Sequence, residues 1–140
     1  MTITIQRVEN AAIALAILLG FIWVGLDWWW LAVLFLVFDL SAIGYAISTR
    51  VGAISYNLVH NYTGPVLLTV VIGLLSASVQ ESNPTWLVII AGAWAFHVAL
   101  DRALGYGLKH DDDFQHTHLG WIGQAGRARR ESAGKGLTTS

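Results

Sequence analysis

Long apolar runs separated by short polar breaks organise this chain. A helix that crosses a bilayer needs about 20 largely apolar residues. Four runs reach that length, over residues 10–26, 28–47, 53–79 and 86–106. Between the first two stand Asp27 and the Trp28, Trp29, Trp30 cluster, and tryptophan favours the membrane–water boundary. Ser48-Thr49-Arg50-Val51-Gly52 reads as a polar turn before the third run, and Gln80-Glu81-Ser82-Asn83-Pro84-Thr85 as a breaker-rich loop before the fourth. Gly105 and Gly107 close the last helix. Pro65, inside the third run, is expected to kink that helix without ending it, since membrane helices tolerate proline. No strand-period alternation competes with these helices. The pattern predicts an all-α fold, a four-transmembrane-helix bundle.

Composition agrees with lipid as the solvent. Of 140 residues 55% are hydrophobic and 12% charged, and mean hydropathy is +0.57. A soluble domain carries roughly 25% charged residues, and a short chain has limited capacity to bury apolar surface. The net charge of −1 argues against a nucleic-acid partner, which needs a concentrated basic surface. With no cysteine, disulfides and thiolate metal ligation are excluded. The polar start and the lack of a small-x-small site give no cleavable signal pattern. Residues 1–122 are expected to form one membrane domain, ending in a cytoplasmic loop over 107–122. Residues 123–140, rich in Gly, Ala, Ser and Arg, are expected to be a disordered basic tail.

Basic residues set the expected orientation. Arg7 precedes the first helix, Arg50 lies in the second loop, and Arg102, Lys109, Arg127, Arg129 and Arg130 lie near or after the fourth. The first and third loops carry Asp27 and Glu81 and no Lys or Arg. By the positive-inside rule both termini face the cytoplasm.

Ionisable residues inside spanning helices cost about 2.5–3.5 kcal/mol each on insertion scales, so they mark sites. Asp39 lies in the second helix, His60 in the third, and His97 and Asp101 in the fourth. Counted from the cytoplasmic ends at about 1.5 Å per residue, they fall in one layer roughly 8–13 Å deep. His97 and Asp101, spaced i, i+4, share a face with Trp94 and Gly105. Tyr56, Asn57, His60, Asn61 and Gly64 form another continuous face, which must point into the bundle. Glu9 is placed to approach the layer from below. Arg102, about 100° around the helix from Asp101, is expected to snorkel to the interface or meet Glu9. His110, His116 and His118 follow the fourth helix, at the cytoplasmic mouth.

The run His97-Val98-Ala99-Leu100-Asp101-Arg102-Ala103-Leu104-Gly105-Tyr106-Gly107-Leu108-Lys109, with Phe114 and Thr117-His118-Leu119-Gly120, resembles the signature of the DUF4260 family. Arg7-x-Glu9, Asp39-Leu40-Ser41, Val51-Gly52-Ala53, Tyr56-Asn57 and His60-Asn61 with Pro65 fit the same pattern. The resemblance covers residues 5–122. It implies a small multi-pass protein of a bacterial inner (cytoplasmic) membrane and leaves activity open. In that pattern the His116 position is ordinarily acidic and His110 is not fixed, so His118 is the matching histidine.

Three readings of the polar layer stand side by side. In the first, Asp39, His60 and His97, with His118 as a further ligand, hold a divalent metal such as Zn, Fe or Mn. Asp101 and Asp39 then serve a hydrolysis as base and ligand, on a lipid-like substrate oriented by Tyr56, Asn57, Asn61 and Tyr106. In the second, the buried Asp and His groups relay protons in a transporter. A homodimer would then supply the half that a four-helix chain lacks. In the third, the layer is a structural network of interhelical hydrogen bonds. Two blander features accompany it: Ser41 and Gly44 as small residues at a helix contact, and Asp111, Asp112 and Asp113 as a solvated turn.

Overall fold

The computed structural model describes residues 1–78, 85–124, 126–128 and 131–132. The loop expected over 80–85, apart from Thr85, and much of the tail expected over 123–140 lie outside the described residues. Helix α1 spans Thr2–Trp23, and α2 spans Trp29–Asp39 and tightens into a 3-10 helix over Leu40–Ala46. Helices α3 (Thr49–Val59) and α4 (Thr63–Ser78) share the third span, and α5 covers Thr85–Leu104. Among the described residues, four stretches are long and apolar enough to cross a membrane: Thr2–Trp23, Trp29–Ala46, Thr49–Ala77 and Thr85–Leu104. They make a helical bundle of the membrane type. Helix α5 is its axis, packing against α1, α2 and α4, while α3 packs on the 3-10 segment. Phe21, Leu31 and Ala93 centre the apolar core. Large side chains such as Leu36, Ile43, Leu58 and Leu74 point outward, as a lipid-facing surface requires.

Each boundary moved for a physical reason. Helix α1 starts at Thr2, not near Asn10, because its polar first turns find partners. Asn10 donates to the Gln6 carbonyl at 2.7 Å. The Arg7 guanidinium donates to the carbonyls of Ala103 (2.8 Å) and Leu104 (3.3 Å), capping the C-terminal end of α5. The helix stops at Trp23, where Gly25 takes φ +74, a conformation open to glycine. The expected polar turn over 48–52 is mostly the first turn of α3: the Ser48 hydroxyl accepts from the Val51 amide at 3.1 Å and caps it.

The third span does not kink; it breaks. Pro65 lacks an N–H, and its ring would clash with the Asn61 carbonyl in a continuous helix. Placed in the first turn of α4, it meets neither penalty. The freed carbonyls of α3 are then all engaged. Tyr56 O accepts from the His60 amide at 2.8 Å. Asn61 Nδ2 serves Asn57 O (2.7 Å) and Leu58 O (3.0 Å), Trp94 Nε1 serves Val59 O at 2.5 Å, and Arg102 serves His60 O at 3.2 Å. Non-helical backbone at membrane depth survives only when satisfied inside the protein, and here α5 satisfies it. Arg102 therefore turns inward, neither snorkelling outward nor meeting Glu9, which stays exposed.

Helix α2 approaches α3 closely. A Cβ on Gly44 would meet Ser55 Oγ and the backbone of Gly52, and one on Gly52 would enter the Tyr45 ring. Ser55 donates to the Ser41 carbonyl at 2.7 Å. Beyond α5, Gly105 at φ +99 ends the helix, and the chain folds back. There His116–Thr117 pairs antiparallel with Gly120–Trp121, a strand pair too short for any periodicity to announce.

Candidate metal centre

Three spans deliver the central side chains. Asp39 stands on the last α-helical residue of α2, where the helix tightens. His60 is the residue at which α3 ends. His97 and Asp101 share one face of α5. Each offers a ligand atom, and the four atoms lie within 4.8 Å of one another. The His60 Nε2 atom is 3.6 Å from Asp39 Oδ1 and 3.5 Å from Asp101 Oδ2. The His97 Nε2 atom is 3.7 Å and 3.9 Å from the same two oxygens. The two Nε2 atoms approach to 2.8 Å.

Neighbours fix the orientation of each group. His60 Nδ1 lies 2.9 Å from the Tyr56 carbonyl, so it carries the proton and donates, which leaves the Nε2 lone pair facing the cluster. Its ring stacks on Tyr56 at 3.5 Å. His97 is fully buried between the Phe35 and Phe38 rings, at 4.2 and 5.6 Å. Its Nδ1 has no partner among the described residues. With His97 donating from Nε2 to His60 Nε2, that Nδ1 is a bare acceptor. The Tyr56 hydroxyl donates to Asp101 Oδ2 at 3.0 Å. Asp39 alone is open: its side chain is 48% exposed, against 10% for Asp101.

The other expected site residues are held elsewhere. Asn57 grips the backbone of Lys109, donating to its carbonyl at 2.8 Å and accepting from its amide at 2.7 Å. Asn61 is engaged at the helix break, and its Oδ1 accepts from the Thr63 amide at 2.8 Å, capping α4. Neither amide is free to orient a substrate. Tyr106 is exposed on the fold-back segment. His118 does not join the cluster: its Nδ1 accepts from the Leu108 amide at 2.8 Å, and its Nε2 lies 2.9 Å from Arg102. Partial burial and the Arg102 charge hold the His118 pKa below its ordinary value. Among the aspartates, Asp112 pairs with His116 Nδ1 at 2.8 Å, and that contact lowers the carboxyl pKa. Asp113 accepts from the Gln115 amide at 2.6 Å, bracing the turn.

Lys109, which the sequence marks only as an orienting charge and the end of the family-like run, is part of the site. Lys109 is 5% exposed, with its Nζ over the rings of Phe114 (4.0 Å) and Tyr56 (5.1 Å). It donates to the Phe114 carbonyl at 2.9 Å. Burial lowers its pKa to about 8, against the attraction of Asp101 and Asp113. It roofs the site on the side of the hairpin. No local signal marks that place, because its position depends on a clamp from Asn57, in another span.

No curated protein and no solved structure matches the chain. The profile of the domain of unknown function DUF4260 does, over residues 3–122. That stretch takes in the four spans, all but Thr2, and the Asp/His cluster, so this chain belongs to the DUF4260 family.

Proposed function

We propose that Asp39, His60 and His97 hold one divalent metal ion (Zn, Fe or Mn), with Asp101 beside it, and that the centre hydrolyses a lipid-like substrate. The observation that carries this reading is the convergence of four ligand atoms from three spans within 4.8 Å. Ligands about 2.0–2.2 Å from a tetrahedral metal stand roughly 3.3–3.6 Å apart. The nitrogen–oxygen separations of 3.5–3.9 Å are near that spacing. The two Nε2 atoms, 2.8 Å apart, would have to part by about 0.5 Å, and His97 to move its proton to Nδ1. The His60–Tyr56 contact is also of the kind that orients metal-binding histidines.

A bound divalent ion supplies a water of pKa near 7 and polarises a carbonyl or phosphoryl oxygen. The side chains do the rest. Asp101, held by Tyr56, would take a proton from the attacking water and return it to the leaving oxygen as the scissile C–O or P–O bond breaks. Asp39, on the open edge, leaves room for the scissile group. Phe35 and Phe38 against His97 keep the inner wall dry, and Lys109 closes the far side with a positive charge.

A second reading has its own support. The 2.8 Å contact between the two Nε2 atoms and the Tyr56–Asp101 bond form a chain fit for proton relay. Metal content separates the two. Elemental mass spectrometry on detergent-purified protein should find near-stoichiometric metal that His60→Ala and His97→Ala each lower about tenfold or more. Folded protein without metal would sink the hydrolase reading and leave the relay.

A further inference from the structure

An apolar groove of about 370 Å³ opens between α1, α2 and α5, lined by Leu18, Trp28, Ala32, Phe35, Phe96 and Leu100, with Leu31 beneath. Its α2 residues recur at helical spacing. Positions 28, 32 and 35 fall on one stripe, and 39 is the next position of that stripe. The groove therefore leads along α2 for about 10 Å, from Trp28 to Phe35, and the half-exposed Asp39 carboxylate stands one turn beyond. One contact joins groove and cluster: the Phe35 ring lies 4.2 Å from the His97 ring.

We infer that this groove seats the hydrocarbon chain of an amphiphile whose polar group lies at Asp39. The inference rests on the hydrolytic reading of the centre and gives its substrate class, a lipid with one chain along α2. The lining offers hydrocarbon and aromatic surface and no charged side chain, so it rejects a polar ligand and accepts an alkyl chain. Asp39 is the half-exposed member of the cluster, so a polar head delivered by the same molecule reaches the centre there. The exposed side chains Leu36 and Ile43 line no such groove.

The test is photolabelling in phosphatidylglycerol nanodiscs with a phospholipid carrying a diazirine near the end of one acyl chain, mapped by peptide mass spectrometry. Label should concentrate on the Trp28–Phe35 stripe over Leu36 and Ile43. Ala32→Trp, which fills the groove, should cut groove labelling about tenfold, as for two buried methylenes withdrawn. It should leave metal content and labelling at Leu36 and Ile43 unchanged. Even labelling along α2 in the unaltered protein, which needs no variant to fold, would overturn the proposal and mean boundary lipid only. So would groove labelling that survives both Ala32→Trp and Leu18→Trp. Metal content read on the same samples separates the failures. Groove labelling without metal refutes the hydrolytic centre and spares the groove; metal with even labelling refutes the groove alone.

Discussion

At the residue scale, the site shows how little a residue's type says until its partners are known. Asn57 and Asn61 lie on the face that helical spacing assigns to a pocket, yet both are consumed by backbone groups. Asn57→Ala should release the Lys109 segment and lose two hydrogen bonds, a destabilisation of about 1–3 kcal/mol. Thermal unfolding in detergent, with protease cleavage after α5 as a second readout, checks it; unchanged protection would show that the clamp is not what holds the segment. Lys109 carries a pH prediction. Burial lowers its pKa from 10.5 to about 8, so in the unfolded chain it keeps its proton to higher pH. The penalty for burying the charge is present below pH 8 and relieved as pH rises from 8 toward 10. Over that window this residue makes the protein more stable as pH rises. NMR of the lysine side chains should show a resonance titrating near 8 that Lys109→Arg removes. A single titration near the ordinary value would refute it.

At the element scale, the apolar runs were legible because a spanning helix writes its length directly into the sequence. His97 and Asp101 were legible too, as an i, i+4 pair on a long regular helix. The break in the third span was not. Pro65 signals that something must give, but whether a helix kinks or parts depends on who satisfies the freed carbonyls. Here they are served by Asn61 locally and by Trp94 and Arg102 from α5, far along the chain. His60 owes its place to that break, since it sits where α3 stops. The close approach of α4 to α5 beside it gives a test. A Cβ on Gly64 would enter the Trp94 ring, and Trp94 holds the broken end through Val59. Gly64→Ala should cost about 1–3 kcal/mol by overpacking and also weaken metal retention through His60. Gly73→Ala, in the same helix with nothing near its Cβ, is the control and should be neutral or stabilising. Equal effects at the two glycines would remove the Trp94 contact from the account.

At the scale of the whole molecule, the polar work is concentrated near one end of the bundle. The hairpin, the Arg7 cap on α5, the Lys109 roof and the Asp/His cluster gather around the C-terminal end of α5. Towards the α1–α2 turn, Phe21, Leu31 and Ala93 form a purely apolar core. That asymmetry bears on access: Lys109 covers the cluster on the hairpin side, and the half-exposed Asp39 is its open edge. The positive-inside rule predicts which compartment the hairpin faces: Arg7, Arg50, Arg102 and Lys109 all stand at its end, while Asp27 stands at the other. Cysteine is absent from the sequence, so single introduced cysteines report topology without background. In spheroplasts or inverted vesicles of a bacterial host, Ser48→Cys and Asp111→Cys should react with an impermeant maleimide from the cytoplasmic side. Asp27→Cys should react from the opposite side. Should Ser48→Cys and Asp27→Cys label from the same side, α2 does not cross the membrane and the four-span arrangement fails. Should the sidedness be reversed with the two still opposed, the bundle stands, but the hairpin end with the Asp/His cluster faces outward. The proton chemistry and substrate supply of the site would then belong to the other compartment.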